Sequence, residues 1–182
     1  MRFDLYYQGP LRSNGGRKEK QTLRRAFHPQ LRDLWQRAPL QDMADQFLDP
    51  AYELTVIRRV GDFDFAPLVS STHHLLAELS ITMLRPEEPG RLITTGGDID
   101  NRLKTLLDAL SLPKHNQLPD GDAPLNNEQP MHCLLEDDNL VTRLDVRVGR
   151  LLGEHHEADV LLLLSVEISA TRATFKNSVF TG

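Results

Sequence analysis

The stretch TTGGDIDNRLKTLLDALSLP, residues 94–113, decides how the chain is read. Leu103, Leu106, Leu107 and Leu110 recur at the i, i+3, i+4, i+7 spacing of an amphipathic helix. Gly96-Gly97 precedes that helix and Pro113 stops it. Successive residues turn by about 100° around a helix, so Asp100 and Lys104 fall side by side along one edge of the leucine stripe. Asp98 falls at or just before the cap. Both carboxylates thus stand at the helix entrance, where the dipole favours negative charge. The same spacing also fits plainer roles, with Asp98 as an N-cap and Asp100 as a first-turn acid paired with Lys104.

Downstream, LLEDDNLVTRLDV, residues 134–146, places Glu136, Asp137 and Asp138 in a row at the entrance to an alternating segment. Three consecutive acids repel one another unless solvent or a cation offsets the charge. Asp98, Asp100 and Asp138 are hard oxygen donors of the kind Mg²⁺ takes, two or three at a time, alongside water and phosphate. Lys104 would neutralise a phosphate or position the attacking water. Together they spell a candidate phosphodiester-cleaving site.

Around this centre, Phe3 to Tyr7 reads as a short strand ended by Gly9-Pro10, and Ser13-Asn14-Gly15-Gly16 as a turn. Leu23, Phe27, Leu31, Leu34 and Trp35 predict a helix over residues 18–37, with Pro29 dividing it into two pieces or kinking it. Residues 52–59 suggest a strand, Gly61-Asp62 a turn, and residues 63–69 a return strand weakened by Pro67. Residues 75–84 alternate Ala77, Leu79, Ile81 and Met83 with Glu78, Ser80 and Thr82, the pattern of a half-buried strand. Residues 114–131 lack periodicity and read as a long polar loop. Residues 141–148 alternate again. Residues 160–168 form a more apolar and more central strand, with residues 153–157 as a hairpin connection between the two. The expected fold is α+β, a small mixed sheet packed on the helix that carries the acidic motif.

With 182 residues and 26% charged composition, the chain fits one domain, 1–182, able to bury a sizeable core. The opening residues show no basic start followed by an apolar run, and the longest apolar run, residues 160–164, is too short to span a bilayer. A cytoplasmic protein without membrane association is expected. The single cysteine, Cys133, excludes an intrachain disulfide and multi-cysteine zinc sites. No P-loop or dinucleotide fingerprint is present. His73-His74 and His155-His156 read as surface residues, and Cys133 as a packed thiol.

Net charge is −5, but it is segregated. Residues 1–40 hold nine Lys and Arg against three acids, leaving +6, and the remainder carries −11. Arg17, Lys18, Lys20, Arg24 and Arg25 form the densest basic run and are the candidate nucleic-acid contacts, with a solvated basic helix face as the alternative.

GDIDNRLKTLLDAL followed by LLEDDNLVTRLDV resembles the RusA family of Holliday-junction resolvases. That family carries an Asp-x-Asp-Asn-x-x-Lys helix entrance, an Asp-Ala-Leu at the end of the helix, and an Asp-Asp-x-x-Val element at the next strand. Here these positions are filled by Asp98, Asp100, Asn101 and Lys104, by Asp108-Ala109-Leu110, and by Asp137, Asp138 and Val141. Pro10-Leu11-Arg12-Ser13-Asn14 is similar to the family's N-terminal turn. The resemblance implies a homodimer that cleaves four-way DNA junctions in recombination and repair, with Mg²⁺ or Mn²⁺ as cofactor. It makes Asp98, Asp100 and Asp138 the catalytic metal ligands and Lys104 the catalytic or phosphate-contacting lysine. Residues 40–72 and 114–131 read as insertions relative to compact members, and the acidic net charge departs from the basic character of junction binders. Two other readings remain: a nucleic-acid-binding or assembly module of the same fold without turnover, and a metal-dependent phosphodiesterase acting on another substrate such as RNA.

Overall fold

The computed structural model describes residues 1–86, 99–156, 158–174, 177 and 180. In chain order it contains β1 (Arg2–Pro10), α1 (Arg17–Trp35), α2 (Ala44–Phe47), β2 (Arg58–Val60), β3 (Phe63–Val69), β4 (Leu75–Arg85), α3 (Ile99–Leu110), β5 (Met131–Leu135), β6 (Val141–Arg150) and β7 (Asp159–Ala170). The fold is α+β, built on two mixed sheets rather than one. None of the described helices is long and apolar enough to cross a membrane.

The larger sheet runs β1-β7-β4-β6. β7 pairs antiparallel with both β1 and β4, whereas β4 and β6 are parallel. Alternation dictates the buried face: Leu75, Ala77, Leu79, Ile81 and Met83 of β4 meet Val160, Leu162, Leu164, Val166 and Ile168 of β7 in the main core. β7 is central, as its apolar run predicts. The expected β6–β7 hairpin does not form, because β4 lies between the two strands. A parallel β4–β6 pair requires a crossover, and α3 with β5 occupies it.

The smaller sheet runs β2-β3-β5. β2 and β3 form a hairpin through Gly61, whose φ of +59° suits glycine. The strand expected over residues 52–59 shrinks to its last two residues plus Val60. β3 does form and pairs parallel with β5. Pro67 is tolerated because β2 ends its pairing at Phe65, leaving the proline beyond the two-sided part of the strand. Phe63, Phe65, Leu118, Met131 and Cys133 make a satellite core under this sheet. The two segments read as insertions therefore pack on each other.

α1 is one 19-residue helix, not two pieces. Leu23, Phe27, Leu31 and Trp35 are buried at four-residue spacing, while Pro29 falls on the exposed side. The backbone bond lost at Pro29 thus lies where water can replace it. Glu19 accepts from the Gly16 amide at 2.7 Å and closes the first turn. Gly15 is needed for close approach to α3: its amide donates to Thr105 Oγ1 at 2.9 Å, and a Cβ there would lie 2.6 Å from Thr105 Cγ2.

Residues 114–130 are strapped along α1. Arg25 pairs with Glu128 at 2.9 Å and Asp122 at 3.0 Å, and Arg17 with Asp120 at 2.9 Å. His28 Nδ1 accepts from the His132 amide, so its protonated Nε2 donates to the Asn127 carbonyl at 2.8 Å. Burial lowers the His28 pKa and keeps the ring neutral. Burial also acts to raise the Glu128 pKa, but its hydrogen bonds from Arg25 and the Leu125 amide, with the Arg25 charge, outweigh that and hold it below the ordinary 4.5.

Removing one partner of this nearly buried pair leaves the other uncompensated. Glu128→Ala is expected to cost about 2–3 kcal/mol in urea unfolding. Because the folded pKa is depressed, the Glu128 contribution is complete above the unfolded value and is lost as pH falls through the folded one. Wild-type stability should therefore drop below about pH 4.5, and Glu128→Gln should show a shallower acid dependence in the same unfolding series.

Candidate active site

α3 buries Leu106, Ala109 and Leu110 and leaves Asp100 and Lys104 exposed at its first turns. Among the described residues neither makes an ion pair, so the Asp100–Lys104 pair that the spacing allowed is not formed. Thr105 holds this end of the helix by donating to the Asn101 carbonyl at 3.0 Å and accepting from Gly15. Asp98 lies outside the described residues, as do the Gly96-Gly97 pair and the loop before it.

The three consecutive acids of the second motif divide their roles. Glu136 turns inward. Its Oε2 accepts from the Ser71 amide at 2.8 Å, Ser71 Oγ at 2.8 Å and Ser70 Oγ at 3.1 Å, and Oε1 meets Arg58 Nε at 3.3 Å. Burial opposes its ionisation, but the Ser71 and Ser70 hydrogen bonds and the Arg58 charge prevail, so its pKa is lowered. Asp137 caps a single 3-10 turn, Asp138–Leu140, by accepting from the Asn139 amide at 3.0 Å. Only the Asp138 side chain is exposed with no hydrogen-bond or ion-pair partner among the described residues, its carbonyl accepting from the Val141 amide. The acids offset their mutual repulsion through a clamp and a cap, which leaves one carboxylate open to a ligand.

The acidic turn hangs from the C-terminal end of α3, where the Leu112 amide donates to the Leu135 carbonyl at 2.8 Å and Ser111 bridges Leu135. Asp100 stands at the opposite end of a helix about 18 Å long. The structure thus groups Asp100 with Lys104 on α3 and puts Asp138 on a separate turn. Among the described residues no three His, Cys, Asp or Glu side chains are arranged to hold a metal ion.

Four of the five residues of the basic run have partners within the chain. Arg24 is buried, donating from Nη2 to the Asp108 carbonyl at 2.8 Å and from Nη1 to Gln21. Burial lowers its pKa to about 10, and it stays a cation at neutral pH. Lys20 pairs with Asp108 at 2.7 Å, Arg25 with Asp122 and Glu128, and Arg17 with Asp120. Lys18 alone of the five is exposed with no salt bridge among the described residues. The physical reason is charge complementarity within the chain: the acids of residues 108–128 take the cations that were expected to meet phosphate. Asp120, Asp122 and Glu128 were visible as acids, but nothing in their spacing says which helix they meet. Arg58, Ser70 and Ser71, which clamp Glu136, come from the segment read as an insertion and carry no sequence signal.

Cys133 is a buried free thiol. Burial pushes its thiol up to about 12, and burial likewise lowers His132 to about 3. The packed-thiol reading agrees with this environment.

The acidic turn gives a direct contrast. Asp137→Ala, losing a cap, is expected to destabilise by about 1 kcal/mol, while Asp138→Asn should leave the unfolding midpoint unchanged. Arg24→Ala should lower the melting temperature and Lys18→Ala should not, as read by circular dichroism. No family model, curated protein or solved structure matches the chain.

Proposed function

We propose that this chain is a Mg²⁺-dependent endonuclease of the RusA type, cleaving phosphodiester bonds in branched DNA as a homodimer. The observation that carries the reading is that the described charges of the motif are left without internal partners. Asp108, Asp120, Asp122, Glu128 and Glu136 are paired with Arg or Lys inside the fold, and Asp137 caps a turn. Asp100, Lys104 and Asp138, the described members of the motif, are exposed and unpaired among the described residues. Asp42, Asp45, Asp62 and Glu154 are also exposed without a salt bridge among the described residues, so it is the motif pattern that singles out Asp100, Lys104 and Asp138 among the charges left free for a ligand.

The donor chemistry suits Mg²⁺: carboxylate oxygens without competing cations, in number compatible with retained waters. Asp98, Asp100 and Asp138 are the carboxylates this reading assigns to the ion, and because Asp138 stands on a separate turn near the far end of α3, sharing one ion requires that turn to approach the helix entrance. Bound there, the ion would activate water and stabilise charge on the transferring phosphoryl group. Lys104 sits one turn from Asp100 and would hold a non-bridging phosphate oxygen through its ammonium. The N-terminal end of α3 would add its dipole to the same anion.

The pairing of Arg17, Lys20 and Arg25 inside the chain favours a second reading at the level of substrate. With few unpaired cations on α1, a single-stranded or RNA phosphodiester fits better than an extended duplex surface, whose binding depends on many phosphate contacts.

Purified protein is expected to nick a synthetic four-way junction in Mg²⁺ at low salt. Asp100→Asn and Asp138→Asn should each lower the rate at least a hundredfold without moving the melting temperature, and Lys104→Ala should weaken it by a smaller factor. Cleavage of RNA or single strands in preference to the junction would select the second substrate. A wild-type protein inert on junctions, flaps, single strands and RNA would end the nuclease reading.

A further inference from the structure

β4, α3 and β6 form a strand-helix-strand unit: β4 and β6 are parallel neighbours, and α3 lies in the crossover between them. In such units ligands gather outside the carboxyl end of the first strand, and the free amides and dipole of the helix's first turn favour an anion there. The register puts both elements at one end of the sheet. Leu84 of β4 and Gln8 of β1 both pair with Leu161 of β7. β1 ends two residues after Gln8, and Gly15 then docks on Thr105 in the second turn of α3. Asp100 and Lys104 therefore open at the same end of the sheet as Arg85, the last residue of β4.

Arg85 is unusual for its position. Leu75, Ala77, Leu79, Ile81 and Met83 are the inward residues of β4, and Arg85 continues their alternation on the face that packs against the helices. It is 2% exposed. Its Nε and Nη2 are buried without a hydrogen-bond partner, and no carboxylate pairs with it among the described residues. Its register neighbour on β6 is another cation, Arg150. By contrast, Arg24 is buried to the same degree and donates to the Asp108 carbonyl and to Gln21. A buried guanidinium with unused donors is among the most destabilising groups a fold can hold. Nε and Nη2 share one edge of the guanidinium, the edge whose two parallel N–H groups match two oxygens of a phosphate.

We infer that Arg85 is an anion anchor, whose Nε–Nη2 edge takes two oxygens of a phosphate group seated between the carboxyl end of β4 and the first turn of α3. The inference rests on the nuclease reading only for the source of that phosphate: in a nuclease it is a phosphodiester of the bound strand, and otherwise it is a free phosphate ion. Arg85 and Lys104 then divide the work at the helix entrance. Lys104 is exposed and follows its ligand as a flexible point charge, whereas burial fixes the planar Arg85 fork and with it the position of the phosphate. The bound anion supplies the counter-charge that the described residues do not.

The test needs neither metal nor cleavage. Melting is followed by circular dichroism in sodium phosphate and in sodium chloride of equal ionic strength. Phosphate is expected to raise the melting temperature by about 2–4 °C over chloride. Arg85→Met, similar in length and uncharged, should keep or raise the melting temperature in chloride and lose the phosphate-specific rise. Arg85→Lys keeps the charge without the paired donors and should retain only part of the rise, which preserves the test if Arg85→Met does not fold. Lys18→Ala, which alters an exposed cation of α1, should retain all of it. The dinucleotide thymidylyl-thymidine, whose one phosphate is a diester, separates the sources. An Arg85-dependent rise with it supports a strand phosphodiester in the site, and a rise with inorganic phosphate alone supports a free anion. A protein inert on every nucleic acid that still shows the Arg85-dependent rise would end the nuclease reading and leave the anchor standing. A wild type that phosphate does not stabilise beyond chloride, or a rise undiminished in Arg85→Met or Arg85→Lys, would overturn the inference.

Discussion

The arrangement depends on the clasp between the cationic side of α1 and the acidic residues 108–128. Arg25 holds Glu128 and Asp122, Lys20 holds Asp108, Arg17 holds Asp120, and the buried Arg24 donates to the Asp108 carbonyl. Burying a charge without a partner costs several kcal/mol, which makes the Arg25–Glu128 and Arg24–Asp108 contacts the consequential ones, whereas Arg17–Asp120 is a surface pair of small weight. The clasp fixes α3 against α1, ties the long segment after Pro113 to the helix, and delivers β5 to β3. The acidic turn that follows β5 is positioned as a consequence. The segregation of +6 and −11 along the chain is thereby in large part an internal complementarity rather than an external electrostatic surface.

Against that background the exposed carboxylates gain meaning. Within five residues the chain contains a clamped acid, a capping acid and a free acid: Glu136 on Ser70, Ser71 and Arg58, Asp137 on the Asn139 amide, and Asp138 with no partner among the described residues. The clamp couples the smaller sheet to the candidate site, because Arg58 begins β2 and Ser70-Ser71 follow β3. Residues 40–72 thus support the acidic turn as well as extending the core.

Where one periodicity dominated, the chain was legible. The alternation of residues 75–84 became β4, the leucines of residues 103–110 became the packed face of α3, and the apolar run after residue 159 became the central β7. Pairing partners were not legible. Nothing local distinguishes a β6–β7 hairpin from two strands that flank β4, and nothing in residues 63–69 announces a parallel partner 66 residues away. Pro29 misled because its cost depends on which face it occupies, and the exposed face makes it small. The internal partners of the basic run were not legible for a related reason: Arg24 and Lys18 are both cations in the same helix, and only tertiary packing separates the buried one from the exposed one. At the site, the motif pattern picked out Asp100, Lys104 and Asp138, whereas their freedom from pairing is visible only once the partners of the neighbouring acids are known.

The central claim is that Asp100 and Asp138, whose carboxylates are unpaired within the fold, serve one divalent ion, which requires the acidic turn and the entrance of α3 to approach each other. Substoichiometric Mn²⁺ added to ¹⁵N-labelled protein tests it through paramagnetic broadening of assigned amide signals. The account requires the amides of Asp100 and Asn101 to broaden together with those of Asp138 and Asn139, and Asp138→Asn to abolish the effect at both places. Broadening confined to one of the two segments, or centred on Asp120 and Asp122 instead, would contradict it.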